Sequence, residues 1–186
     1  AVQQKSSKST TTLPTAASFI PMIAALPGVK AVAQEINGSG VLTRGSQITQ
    51  VSINGVEPGN ESAITRLDSY ITQGSARLGA GGVLLGQRLA EDMSLKLGQS
   101  VRLKSSEGIE AVLTVTGIYQ MGQGGADRRT VYVSLATART LFAMPQGVTR
   151  IEIKLYDLYV ADALAPKISA MTGLNAVSWT VDGAQL

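Results

Sequence analysis

The sequence predicts an α+β fold with short helices, and three observations carry that reading. Apolar residues make up 44% of the 186 positions but aromatics only 4%. The core must therefore be built from Val, Leu, Ile and Ala, a palette suited to strands and small helices. Runs of alternating apolar and polar residues recur along the chain, VTRIEIKLYD being the clearest. Between them lie short segments with apolar residues at helical spacing, bounded by Gly, Pro, Ser or Asn. Helix-then-strand units stand at both ends around a strand-rich middle, an order that reads as α+β.

The elements follow in order. Residues 1–12 are polar and rich in Ser and Thr, and residues 1–15 read as a flexible lead-in. Ser18 caps a short helix carrying Phe19, Ile23 and Leu26, with Pro21 in its first turn and Pro27-Gly28 as its stop. VKAVAQEI and ITQVSINGV alternate as strands, with turns at NGSG and RGSQ. GVEPGNES, with Pro58 and Gly59, is a linker. Asn60 caps a helix over about 61–72 with Ile64, Leu67 and Ile71, and Gly74 ends it. VLLG is a buried strand and QRLAEDM a helix, and Gly98 turns the chain into SVRLKS. That strand pairs with EAVLTVTGIY across SSEG. QMGQGGAD is a loop, TVYVS a strand, and Ser134 caps a helix with Leu135, Ala138 and Leu141. VTRIEIKLYD turns Ile151, Ile153 and Leu155 to one side. Asp157 caps a last helix with Leu164, Ile168 and Met171, kinked at Pro166 and ended by Gly173, and NAVSWT closes the chain as a strand.

Composition removes several function classes. The formal charge is +3, and only Arg102 with Lys104 and the pair Arg128-Arg129 approach clusters, so nucleic-acid binding is not expected. The chain has no Cys and no His, which excludes thiol chemistry, disulfides, the usual zinc sites and a Ser-His-Asp triad. No apolar run reaches the ~18 residues of a membrane helix. The first residues, without an apolar centre, do not read as a signal peptide.

The glycine-rich stretch GAGGVLLGQRLAED poses the question of a phosphate-binding loop. Gly79 and Gly81 fill the first two places of a dinucleotide fingerprint, but Leu84 holds the third. Gly81 to Gly86 has P-loop spacing, but Gln87-Arg88 follows where Lys and a hydroxyl residue are needed. A turn, a buried strand and a helix account for the stretch better. Glu91 and Asp92 are adjacent and so point to different sides of a helix. Arg128-Arg129 beside Asp127 reads as a loop end, with an anion or lipid headgroup contact as the alternative. Trp179 reads as a packing anchor. Tyr156 and Tyr159 read as core or helix-edge residues, with a partner surface as the alternative. No cofactor or metal site is expected, and no convergent acid-base set points to an enzyme.

GGVLLGQRLAEDMSLKLGQSVRLKS, followed by LTVTGIY, TVYVSLATARTLF and VTRIEIKL, resembles the extracytoplasmic domain of ABC-transporter permeases of the MacB, LolC/LolE and FtsX-like type. An early Leu26-Pro27-Gly28-Val29 with Val32 fits the same pattern, and the likeness runs over about 18–180. The resemblance implies two lobes: a porter-like lobe from 16–57 and 128–182, and a strand-rich, sabre-like lobe inserted at 58–127. It implies a non-catalytic domain between two membrane helices, at the cell membrane and facing the periplasm. Its partners would be a cognate cytoplasmic ATPase, a second permease subunit, and a periplasmic adaptor or lipoprotein. It also implies that the chain near Thr15 and near Thr180 lies at one end of the molecule. A binding module for an amphiphile or lipoprotein is the alternative. LolC-type members recruit a soluble carrier through a long hairpin insertion, whereas the turn here is only SSEG. Met93-Ser94 stands where the family has an apolar residue and Gly.

Within that frame the loop Gln120 to Asp127 reads as mobile, partner-facing and a hinge between lobes. It holds Gly122, Gly124 and Gly125 and no apolar side chain larger than Met121. Gln120, Met121, Gly122, Gln123, Gly124, Gly125, Asp127 and Arg128 are the candidate partner-contact residues, and a solvated connector is the alternative.

Overall fold

Alternation and close backbone approach set the strands of the computed structural model, which describes residues 2–3, 16–57, 67–122, 124–145, 147–172 and 175–176. The chain forms two compact units, one from 1–35 with 146–186 and the other from 36–145.

In the unit made from both ends, α1 spans Ala16–Ala24 with Pro21 inside it, starting before the expected cap at Ser18. Strand β2, Val29–Arg44, begins here. It pairs antiparallel with β9, Arg150–Leu155, from Val29 opposite Leu155 to Glu35 opposite Arg150. Strand β1, Val2–Gln3, lies on the other side of β9 with Val2 opposite Ile151. It pairs antiparallel with β10, Asn175–Ala176, placing Val2 opposite Ala176. Val2 and Gln3 thus join a ladder within a segment expected to be solvated throughout; their backbone groups gain partners that composition does not reveal. A 3-10 turn at Leu158–Val160 precedes α6, Ala161–Thr172. The Asp157 carboxylate accepts from the Tyr159 N–H at 2.9 Å, so it caps that turn and not α6 itself. On α6, Ile168 is buried and Met171 exposed, so the expected apolar face is only partly covered. Trp179, Thr15 and Thr180 lie outside the described residues.

In the inserted unit the strands are β2 from Ile36 onward, β3 (Gln47–Val56), β4 (Ile71–Gly74), β5 (Gly82–Gly86), β6 (Ser100–Ser105), β7 (Glu110–Tyr119) and β8 (Thr130–Ser134). All but β4 close into a hydrogen-bonded ring in the order β2, β3, β8, β5, β7, β6 and back to β2. Closure leaves these strands no free edge. The registers set Leu42 opposite Leu103, Val101 opposite Leu113, Val83 opposite Val133 and Leu85 opposite Val131, and all eight are buried. On the other face, Leu84 and Tyr119 join Val56, Leu67 and Leu78 in a second buried cluster.

Three readings change here. NGSG is strand, not turn, because β2 runs through it. A Cβ on Gly38 would strike the Phe142 ring, and one on Gly40 the Lys104 carbonyl and Ile53, so these glycines serve packing. The helix expected to reach residue 72 is α2, Leu67–Tyr70, and Ile71 is already in β4, opposite Tyr119; pairing with β7 overrides helical spacing, while Asn60 and Ile64 lie outside the described residues. The loop 120–127 is partly helical, since α4 spans Gly124–Arg129. It joins β7 and β8, which both border β5 in one unit, so it does not bridge strands of separate lobes.

Candidate functional site

The inserted unit holds a small cleft where two strands end together. Strands β5 and β7 are parallel, with Gly86 opposite Tyr119. The next residues, Gln87 and Gln120, are therefore neighbours at the carboxyl ends of parallel strands, a place where clefts commonly form. Gln87 opens α3, Gln87–Asp92. Gln87, Arg88, Glu91, Gln120 and Asp127 line a cleft of about 210 Å³.

Asp127 organises its floor. The side chain is 3% exposed. It accepts from the N–H groups of Met121 at 2.8 Å and Gly122 at 3.0 Å. These bonds fix the turn after β7, with Gly122 at φ 75° in the left-handed region. Asp127 is thus a structural clamp that also reaches the cleft. Arg88, Glu91 and Gln120 are exposed at the rim, and Gln87 is half-buried. The Gln87 amide donates to Glu91 at 3.0 Å. Arg128 lies 4.0 Å from Asp92 with both side chains more than half exposed, a pair worth little in water. The cleft thus offers an exposed guanidinium, two amides and two carboxylates, chemistry for reading a polar protein or peptide surface.

Of the sequence-derived contact residues, Gln120 and Asp127 line the cleft and Arg128 stands exposed beside it. Gly122 is exposed, and Met121 packs half-buried against the cluster around Tyr119. Gly124 and Gly125 open α4, and Gln123 lies outside the described residues. Sequence reasoning missed Gln87, Arg88 and Glu91. Their only signal was that a strand ends at Gly86, and nothing local reveals that β5 pairs in parallel with β7. Gly82 and Gly86 of the glycine-rich stretch have a packing role: a Cβ on Gly82 would strike the Leu78 carbonyl and one on Gly86 the Asp127 backbone. Tyr119, under the cleft, donates to the Thr130 carbonyl at 2.5 Å and meets Tyr132 edge-on at 5.4 Å. Burial pushes its phenol far above the ordinary range, with Tyr132 and Asp127 adding to the shift. Tyr156 and Tyr159, read as core or helix-edge residues, are instead 74% and 95% exposed.

No helix among the described residues is long and apolar enough to cross a membrane. The chain is 26% identical over 147 residues to the lipoprotein-releasing system transmembrane protein LolE of Haemophilus influenzae, covering 73% of this chain and 35% of LolE. It is 23% identical over 167 residues to the corresponding LolC of Neisseria meningitidis serogroup B, covering 83% of this chain and 40% of LolC. It thus spans well under half the length of these relatives. Among solved structures, the extracellular domain of the noncanonic ABC-type transporter YknZ from Gram-positive bacteria superposes with a TM-score of 0.66 at 16% identity, over 95% of this chain and 94% of that one. The periplasmic region of MacB from Actinobacillus actinomycetemcomitans gives 0.64 at 14% identity, over 90% and 81%. The MacB-like periplasmic core domain family matches residues 1–171, and the chain belongs to that family, the periplasmic domain of MacB-like ABC transporter permeases.

Proposed function

We propose that this domain stands between two neighbouring membrane helices of its permease, contacts a partner outside the cytoplasm and moves as a cytoplasmic ATPase drives those helices. One observation carries the reading. Strands β1 and β10 are antiparallel with Val2 opposite Ala176, so the chain enters the first and leaves the second at the same end of their ladder. Two such ends can continue into one membrane, and the domain then needs no chemistry of its own. The unit from both chain ends takes the porter-like role and the inserted unit the sabre-like role, with borders at 35/36 and 145/146. The polar cleft of the inserted unit, with Gln87, Arg88 and Gln120 at its mouth, is the surface offered to a periplasmic adaptor or lipoprotein. The names of LolE and LolC favour a lipoprotein partner. The polar lining suits a protein surface better than an acyl chain, which ranks a pure amphiphile-binding module second.

The test uses the full-length permease in its membrane. A cysteine replacing Ser106, in the β6–β7 turn, should react with a membrane-impermeant maleimide added from the extracytoplasmic side. Labelling only after lysis would overturn the placement. Arg88→Glu with Gln120→Ala alters exposed residues and should lower transport several-fold at unchanged protein level. Unchanged transport would remove the cleft from the partner surface.

A further inference from the structure

One end of the unit built from both termini carries unusually exposed aromatic side chains. Strand β9 ends at Leu155, and the next residues form a tight turn. Tyr156 is 74% exposed, Tyr159 95% and Val160 39%. The turn is well defined: the Tyr156 N–H donates to the Gly28 carbonyl at 3.0 Å and the Tyr159 N–H to the Asp157 carboxylate at 2.9 Å. Pro27 and Lys30, on the adjoining start of β2, are also exposed. Two large aromatics held outward by a capped turn, with no described side chain covering them, mark a contact surface.

Strand direction says what lies there. Val2 is opposite Ile151 in antiparallel pairing, so β1 runs from the Leu155 end of β9 toward its Arg150 end. β10 runs back toward the Leu155 end. β1 therefore starts, and β10 ends, toward the end where the tyrosines stand. From Ile151, opposite Val2, to Leu155 is about 13 Å of strand at ~3.3 Å per residue, so the start of β1 and the end of β10 stand within that distance of the level of Tyr156. Resting on the membrane placement proposed above, we infer that this end of the unit sits on the outer bilayer surface, with Tyr156 and Tyr159 as interfacial anchors. A tyrosine ring settles among headgroups with its apolar body toward the acyl chains and its hydroxyl in water. Lys30 adds a cation suited to anionic lipid. The anchors hold this end of the unit at the headgroups.

The domain contains no Cys, so a single cysteine introduced within it is a clean label site. Val160→Cys and Val112→Cys, the second on the exposed face of β7, are spin-labelled in the full-length permease in bilayers, with cysteines outside the domain replaced by Ser. Collision with lipid-soluble oxygen is compared with collision with a water-soluble nickel chelate. The oxygen-to-nickel ratio at 160 should exceed that at 112 by about threefold or more, as for a group at the headgroup level. Tyr156→Ser with Tyr159→Ser should bring it down to the value at 112. Equal ratios at both positions overturn the inference, as does a ratio at 160 that the double substitution leaves unchanged. Shielding of 160 from both reagents also overturns it, because a protein surface then covers the tyrosines. Impermeant labelling of Ser106→Cys separates the two failures: if that cysteine reacts from outside, the domain is extracytoplasmic and only the bilayer contact is wrong.

Discussion

Gly86 and Ser134 sit at equivalent corners of neighbouring strands. β5 and β8 are antiparallel partners in the inserted unit, and each turns directly into a short helix, α3 after Gly86 and α5, Leu135–Leu141, after Ser134. The two corners share a backbone, with φ −65° and ψ 147° at Gly86 and φ −66° and ψ 153° at Ser134. Ser134 supplies the oxygen that a helix N-terminus lacks, accepting from the Thr137 N–H at 3.1 Å. Gly86 supplies none. Its φ is open to any residue, so the local conformation does not demand glycine. The Asp127 backbone does, because it passes where a Cβ would stand. Residue identity at one corner answers to the helix, and at the other to a third segment packed against it.

The helix ends are alike. In α3 the Leu95 N–H donates to Ala90 and the Ser94 N–H to Glu91; in α5 the Met144 N–H donates to Arg139 and the Ala143 N–H to Thr140. Both are Schellman turns, and their left-handed residues, Ser94 at φ 52° and Ala143 at φ 51°, are not glycine. Arg44 donates to the carbonyls of Met93 and Ser94, and the Ser105 hydroxyl to that of Leu141, so each end draws a partner from the β2 or β6 strand.

The sharpest way to break this comparison is Gly86→Ser, which gives the first corner the cap of the second. Capping alone would stabilise by only about a few tenths of a kcal/mol relative to glycine. Collision with the Asp127 backbone should outweigh it, for a net loss of about 1–3 kcal/mol in urea unfolding. A gain in stability would show that the helix, not the neighbour, governs both corners. Tyr119→Phe should cost about 1 kcal/mol at neutral pH by leaving the Thr130 carbonyl without its donor. Its effect also depends on pH. The folded chain holds the Tyr119 proton far above the ordinary value of 10.0, whereas the unfolded chain releases it near that value. The stability so gained is complete below about pH 10 and falls as pH rises further. Denaturation between about pH 9 and 11 should show a shallower alkaline decline in the Phe variant, and parallel curves would refute this. Ser134→Ala should cost about 1 kcal/mol and Ser134→Gly a few tenths, read from urea midpoints. Last, Ala143→Gly and Ser94→Gly should each stabilise by about 0.5–1 kcal/mol through relief of the left-handed backbone. A loss at either would mean that the side chain contributes more than its strain costs.

Much of the ring was legible. The alternation of SVRLKS and EAVLTVTGIY placed Val101, Leu103, Leu113 and Val115 inside, as observed. Ser134 with Leu135, Ala138 and Leu141 marked a capped, one-sided helix, and all three apolar residues are buried. The RGSQ turn is Gly45–Ser46, with Gly45 at φ 58°. The order of motifs also pointed to the family. NGSG misled because glycine signals both a turn and a close contact, and only the positions of Phe142, Lys104 and Ile53 show which applies. The cleft was half visible, through Gln120 and Asp127, and its α3 wall was not.

By itself, then, the sequence determined where strands alternate, that Ser134 caps the helix after it, and that neither thiol nor imidazole chemistry is available, since each depends on residues adjacent in the chain or absent from it. Tertiary structure decided the parallel pairing of β5 with β7, the meeting of Gln87 and Gln120, the glycine at position 86 and the antiparallel pairing of β1 with β10. These depend on contacts between distant segments, whose free energy comes from burial and backbone pairing that no local window contains.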